Sequence, residues 1–448
     1  MNKKTITALV ALPCIGMCLS ASLQAEPLRD VIENLVKTNP DVLATLKHRR
    51  SIENELKIAK GGYFPKVDLT LGYGREWTDS PYTRAISPDY IRLTRREAEL
   101  TLRQMLFDGF GVGSEVARQK ARLNSSAYLA YGTSEEISLN AVEAYIEVLR
   151  QRELVALARQ NLENHQRTND QIQLRSDSGV GRKADFDQAH GRVSLASSNL
   201  LAAESDLKDA ETKYQFVTGT APKNLTEPAL PEQLLPKSET EAVEIAIDNH
   251  PILKSSIADV QAAQAQHQAA KSLLYPRLDL ELSGARDTNL SGVEGKNNTK
   301  QAMLRLRYNL FSGKSDSARV DQTALLNQEA AEISNRTRRQ VEQATKISWN
   351  AYTTASARLV PLSDFSTSSE FTREAYGKQF NLGQRTLLDL LDSENEYYTA
   401  RTSYVTAKYT HLLAAYRLLQ NEGRLLEALG VPLPEEAIAP PEEKQKAM

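Results

Sequence analysis

Four stretches of the chain alternate strictly between apolar and polar residues. Val67, Leu69, Leu71, Tyr73 and Trp77 fall on one side of an extended backbone, with Asp68, Thr70 and Glu76 on the other. Ala98, Leu100, Leu102 and Leu106 stand against Glu99, Thr101 and Arg103. Further on, Leu278, Leu280 and Leu282 oppose Asp279 and Glu281, and Ala302, Leu304, Leu306, Tyr308 and Leu310 oppose Arg305, Arg307 and Asn309. The pattern predicts strands over about 67–77, 97–107, 278–287 and 302–311. Runs of this length suit tilted membrane strands, which need about 9–11 residues. Alternation alone fits half-buried hairpins of a soluble sheet equally well.

After each strand pair the period changes from two to seven. Val116, Leu123, Ala130, Ile137 and Ala144 recur every seven residues, with Ala127, Ala141 and Val148 on a second seam, as in a coiled coil. No proline interrupts Ser114 to Ser178, and a helix of that length spans about 98 Å. The matching run, Ser315 to Leu382, contains Pro361, which is expected to bend it; Leu157 holds the equivalent place in the first run. Return helices are expected over Lys183 to Thr218 and Thr386 to Leu429. Helices this long exceed one compact domain and need neighbours along their length.

The two halves are copies of one unit of about 200 residues. Thr38-Asn39-Pro40 returns as Asn249-His250-Pro251, and Phe64-Pro65-Lys66-Val67-Asp68-Leu69 as Tyr275-Pro276-Arg277-Leu278-Asp279-Leu280. Leu106-Phe107-Asp108-Gly109 returns as Leu310-Phe311-Ser312-Gly313. The organisation expected is a signal peptide over 1–25, a first repeat over 26–235, a second over 236–431, and a disordered Pro/Glu-rich tail over 432–448.

Composition supports long helices: of 448 residues only 21 are glycine, and aromatics are 6%. The leader carries Lys3 and Lys4, an apolar run from Ile6 to Leu19, and a cleavage site before Glu26. Losing its two lysines takes the net charge from −2 to −4, so no basic excess points to nucleic acid. It also removes Cys14 and Cys18, the only cysteines, so the mature chain has neither a disulfide nor a thiolate metal site. No later stretch offers about 18 consecutive apolar residues, which leaves a barrel as the way to cross a membrane.

Enzyme chemistry is not signalled, and no cofactor is expected. His48, His165, His190, His250, His267 and His411 form no zinc-binding pair. Gly313-Lys314-Ser315 lacks the earlier glycine of a phosphate loop, where Tyr308 stands. Gly109-x-Gly111-x-Gly113 lacks dinucleotide spacing and reads as a flexible strand-to-helix transition. Four strands cannot close a membrane barrel, whose smallest forms have about eight, so membrane strands here demand an oligomer. Counting alone does not choose between two chains and three.

The duplicated plan, with the Phe64–Leu69, Tyr275–Leu280 and Leu310–Gly313 motifs, resembles the TolC family of outer-membrane export channels over about residues 28–430. The most specific segment is Phe380-Asn381-Leu382-Gly383-Gln384-Arg385-Thr386-Leu387-Leu388-Asp389-Leu390-Leu391-Asp392, which looks like that family's periplasmic entrance. The resemblance implies a mainly α fold with a β-barrel part. A long helical coiled-coil barrel would be joined to four amphipathic membrane strands per chain and closed as a homotrimer in the outer membrane. It also implies docking, through a periplasmic adaptor protein, on an inner-membrane ABC transporter or proton-driven pump.

Residue by residue, the resemblance implies that Asp389 and Asp392 ring a constriction. It also implies that Arg385 and Asp185 belong to a latch holding the entrance closed, with Phe380 at the position of that latch's tyrosine. Phenylalanine has no hydroxyl to donate. Ordinary helix chemistry reads the same residues differently: Thr386-x-x-Asp389 is a capping-box spacing, and Asp392 and Asp185 suit helix N-termini. Trp77, Tyr73 and Tyr82 suit an interfacial aromatic belt. The leading expectation is a passive export channel, by likeness to the type I branch one for secreted proteins. The alternatives are the outer component of multidrug efflux and, from another class, a periplasmic coiled-coil adaptor or scaffold.

Overall fold

The computed structural model describes residues 26–440; the expected signal peptide and residues 441–448 lie outside the described residues. In chain order the elements are α1 (Leu28–Thr38), α2 (Pro40–Gly61), β1 (Lys66–Thr78), α3 (Pro81–Arg84), β2 (Ile91–Phe107), α4 (Gly111–Asp177) and α5 (Lys183–Thr218). The second half repeats the plan with α6 (Glu239–Asn249), α7 (Pro251–Lys271), β3 (Arg277–Leu290), β4 (Val293–Arg307), α8 (Ser315–Asn381) and α9 (Leu387–Asn421), followed by α10 (Leu425–Ala428).

The repeated motifs turn out to be joints. Asn39 breaks the chain between α1 and α2, and its side-chain oxygen accepts from the Asp41 and Val42 amides, with Pro40 at the first helical position. His250 does the same in the second unit: its Nδ1 accepts from the Ile252 amide at 3.3 Å, with Pro251 behind it. Only the neutral ring can accept there, and burial lowers the His250 pKa to about 4. At the strand-to-helix joints Gly109 and Gly313 sit at φ 67° and 64°. Asp108 then accepts from the Gly111 and Val112 amides, capping α4. A side chain at Gly109 would lie 2.6 Å from Tyr275 Cβ, so both backbone conformation and space require glycine.

One antiparallel sheet, in the order β1-β2-β3-β4, joins the two repeats through β2 and β3. Its register aligns Val67, Leu102, Leu282 and Ala302 on one face, and Asp68, Thr101, Ser283 and Gln301 on the other. The apolar face is bare: Leu69, Leu71, Leu304 and Leu306 are exposed, and Tyr73 is 78% exposed. The polar face is laced with ion pairs, Arg307 reaching both Asp279 and Glu281 at 2.6 Å. A soluble sheet buries its apolar face; this one presents it outward.

From the sheet α4 and α8 run 67 residues each, about 100 Å at 1.5 Å per residue. The heptad positions of α4 face its neighbours: Leu123, Ala127, Ala130, Ala141, Ala144 and Val148 are buried, and Val116 and Ile137 half-buried. Small residues let helices approach closely. Gly132 is the extreme case, where a Cβ would lie 2.6 Å from Ile252 Cδ1 on α7. Midway along, the amphipathic stripe of α1 (Val31, Ile32, Leu35) packs with α4, α9 and α10 in the main apolar core. Tyr145 pins that core, its hydroxyl donating to the carbonyls of Glu26 and Thr226 and accepting the Thr226 amide.

Several expectations are corrected. The segment after Gly430 is not a free tail over 432–440: Val431 and Ala437 are buried against the core, a 3-10 turn spans Glu435–Ala437, and Glu436 pairs with Arg50. The apolar residues hidden among its prolines clip it down, and the prolines lower the entropy cost of doing so. The return helix expected to reach Leu429 stops at Asn421, because Gly423, at φ 68°, turns under Pro251 and Asn249. The fourth strand occupies Val293–Arg307 rather than 302–311, since the tight Ser291-Gly292 turn starts it early.

Candidate functional site

The far ends of the long hairpins, distant from the sheet, bring together the residues singled out by sequence. The turn between α4 and α5 ends on Arg182, and Asp185 lies half-buried in the first turn of α5. The turn between α8 and α9 passes through Gly383 at φ 75° and ends on Thr386. There the capping box is complete. The Thr386 amide and hydroxyl donate to Asp389 Oδ2 at 3.1 and 2.8 Å, and Thr386 Oγ1 accepts the Asp389 amide at 3.2 Å. Those hydrogen bonds, first from the Thr386 side chain and then from its backbone, hold the Asp389 carboxyl below the usual aspartate range.

Asp392, one turn on, is exposed and meets a partner that the sequence did not suggest: Arg192 of α5 places Nη2 3.3 Å from its Oδ1. Arg385 turns back on its own hairpin. Its Nε donates to Gln379 Oε1 at 3.0 Å, and its guanidinium lies 4.1 Å over the Tyr376 ring. Among the described residues it has no ion pair with Asp185. The aromatic that engages the arginine is thus Tyr376, one helical turn before the position named by the resemblance.

Phe380 is 5% exposed. It sits at the centre of an apolar cap made by Ile172 of α4, Phe186 and Ala189 of α5, and Leu387, Leu390 and Leu391 of α9. Arg175 covers the outer side of its ring at 5.1 Å. The cap joins the two hairpins at their tips. One turn further in, Asn164 of α4 donates to Glu394 of α9 at 3.1 Å, and burial raises the Glu394 pKa. Above these ties the hairpins part around a cleft of about 920 Å³, bordered by Asn199, Asp206, Asn350, Arg358 and Tyr398. The two hairpin tips are therefore joined by a packed apolar cap, one exposed ion pair and one amide–carboxylate bond. Two signals were available in the sequence: Arg192 lies three residues after Ala189, on the same helical face, and Tyr376 lies one turn before Phe380. No group of three or more His, Cys, Asp or Glu suited to a metal ion occurs among the described residues.

The chain is 27% identical over 396 residues to the outer membrane efflux protein BepC of Brucella suis, covering 88% of this chain and 84% of that one. It is 23% identical over 417 residues to outer membrane protein TolC of Escherichia coli, with coverage of 89% and 82%. The fold superposes on the outer-membrane channel OprN with a TM-score of 0.76 at 16% identity, over 88% of this chain and 89% of that one. The profile of the family described as outer membrane efflux protein matches residues 31–220 and 242–430, and both matched segments carry the helix, strand-pair and long-hairpin plan seen here. The chain belongs to the outer membrane efflux protein family: it is an outer-membrane channel protein with its helical part in the periplasm, not an enzyme.

Proposed function

We propose that three copies close into one twelve-stranded barrel, and that the trimer exports cargo from an inner-membrane transporter, handed over by a periplasmic adaptor, through a tunnel formed by the long hairpins. The observation that carries this is the sheet. Its four strands leave β1 and β4 each paired on one side only, with a continuous bare apolar face. An open edge and a bare face both require further copies in a membrane. The mass of the detergent-extracted protein tests it, together with disulfide crosslinks between single cysteines placed on β1 and β4. Trimers linked β4 to β1 are expected, and a monomeric particle overturns the reading.

At the tip, Asp389 and Asp392 line the narrowest part of the tunnel. Three copies bring six carboxylates together, and their fields add in a narrow throat and attract cations. Block of single-channel current by multivalent cations from the periplasmic side is expected to vanish in Asp389→Ala/Asp392→Ala trimers. Unchanged block would make these residues helix caps only. On the likeness to the type I branch, the cargo is a polypeptide delivered by an ABC transporter. Deleting the gene then abolishes secretion of a large exported protein and leaves susceptibility to small toxic compounds unchanged; the reverse outcome assigns the channel to multidrug efflux.

A further inference from the structure

The two faces of the sheet treat their cations differently. On the polar face Arg95, Arg103, Arg277, Arg305 and Arg307 are each ion-paired to Glu76, Glu97, Asp279 or Glu281. On the apolar face, toward the hairpin-loop end, stand Arg75, Arg92, Arg96, Arg286, Lys296 and Lys300. The register puts them there: Trp77 opposes Arg92, Tyr73 opposes Arg96, and Leu282 shares its strand face with Arg286. All six are exposed, and none has an acidic partner among the described residues; Arg96 only leans over the Tyr73 ring at 5.8 Å. The sole acid on that face of the strands is Glu294.

Their positions follow a rule. On each strand the apolar run ends at a first cation, Arg75 on β1, Arg96 on β2, Arg286 on β3 and Lys300 on β4. By register these first cations lie level with β1 positions 75, 73, 71 and 69, one face position earlier on each successive strand. Neighbouring strands are about 4.8 Å apart and side chains on one face recur every ~6.8 Å. In a barrel whose strands tilt by about 45°, a level line climbs ~4.8 Å along each successive strand, so one face position per strand is the nearest available step. The diagonal on the flat register is a horizontal ring on the barrel. The other rim of the apolar band, near the helices, has no such ring: exposed Phe64, Tyr308, Leu310 and Phe311 lie there.

We propose that this ring of unpaired cations binds the phosphate groups of a phosphorylated glycolipid in the leaflet on the loop side of the barrel. Unpaired guanidinium and ammonium groups at the edge of an apolar band fit a ligand with acyl chains below and phosphates above, with arginine able to grip phosphate through two hydrogen bonds. A zwitterionic headgroup supplies no net charge to match six cations per chain. The asymmetry between rims requires the ligand to be confined to one leaflet.

The test uses the full mature protein purified in detergent and titrated with diphosphoryl lipid A, the same glycolipid with its phosphates removed, phosphatidylcholine, and inorganic phosphate. Bound lipid is counted by native mass spectrometry. Wild type is expected to retain diphosphoryl lipid A at least about tenfold better than the dephosphorylated form, with millimolar inorganic phosphate failing to displace it. Arg75→Gln/Arg96→Gln/Arg286→Gln/Lys300→Gln should lose that preference, and the corresponding variant with the three arginines changed to lysine should keep most of it. Arg95→Gln, on the polar face, should leave it unchanged. Equal retention of the phosphorylated and bare glycolipids by wild type, or an undiminished preference in the quadruple variant, overturns the proposal. Displacement by inorganic phosphate alone assigns the ring to free anions instead and overturns the lipid assignment. Loss of the oligomer or of channel currents in wild type would instead strike the channel reading.

Discussion

Replacing Phe380 by alanine is expected to loosen the entrance more than removing either nearby charge. Truncating a fully buried phenylalanine costs about 3–5 kcal/mol. Phe380 is 5% exposed and touches both hairpins, so much of that cost falls on the contact that must break when the tips separate. If only a third of it does, each copy contributes about 1–1.7 kcal/mol to the closed state. The Arg192–Asp392 pair is exposed, with N–O 3.3 Å, and such pairs contribute about 0.2–1 kcal/mol. Arg385 makes its contacts within its own hairpin, so its loss subtracts little from the closed state. With three hairpin pairs opening together, Phe380→Ala shifts the closed–open balance by roughly 3–5 kcal/mol, a factor of at least about a hundred, against about 0.6–3 kcal/mol for Arg192→Ala. Single-channel recording of reconstituted trimers checks this. Phe380→Ala should show frequent large openings that persist when salt rises from 0.15 to 1 M. Arg192→Ala should show a smaller effect that fades over the same range, because screening already weakens the wild-type pair as the Debye length falls from about 8 to 3 Å. If Arg192→Ala or Arg385→Ala opens the channel as much as Phe380→Ala, charge rather than packing closes it and the reasoning fails.

Glu422 is completely buried, both its oxygens lack hydrogen-bond partners among the described residues, and burial raises its pKa to about 8. The folded chain therefore holds a proton that the unfolded chain gives up near pH 4.5, so the stability contributed by this group is full below pH 4.5 and is lost as pH rises through 8. Glu422→Gln should raise the unfolding temperature at pH 9 and change it little at pH 5, which thermal melts at the two values read directly. Gly109→Ala places a Cβ 2.6 Å from that of Tyr275 at a left-handed position and should cost at least about 2 kcal/mol, seen as a lower urea midpoint. Pro361 lies exposed inside α8 and leaves the Ala357 carbonyl without its helical donor, so Pro361→Leu should gain about 1–3 kcal/mol in the same assay. A loss there would mean that a bend at Pro361 aligns the lower hairpin.

Periodicity made the architecture legible because the fold is built from repeated local rules. Alternation set the strand faces, the seven-residue recurrence set the seam of α4, and the repeated motifs marked joints that prove to be caps. What escaped the reading depends on contacts distant in sequence. Nothing local announces that Val431 and Ala437 find a buried groove, so a run containing Pro432, Pro434 and Pro440 reads as disordered. The end of α9 escaped for the same reason, since Gly423 is required by Pro251 and Asn249, which lie about 170 residues away in sequence.

At the tip, the residues that the resemblance names hold partners that the sequence did not suggest. Asp389 and Asp392 stand in adjacent turns of α9, yet one is held by Thr386 beside it and the other faces Arg192 across the hairpins. Between them the buried side chain at the tip is Phe380. A tyrosine there needs a polar partner for its hydroxyl when buried, whereas phenylalanine does not, and the hairpins close over it with Ile172, Leu390 and Leu391. Arg385 lies outside that cap, on Tyr376 and Gln379 of its own hairpin. Phe380 thus brings no buried hydroxyl that needs a partner, which suits the wholly apolar cap that joins the two hairpin tips, and burial rather than charge supplies most of that contact.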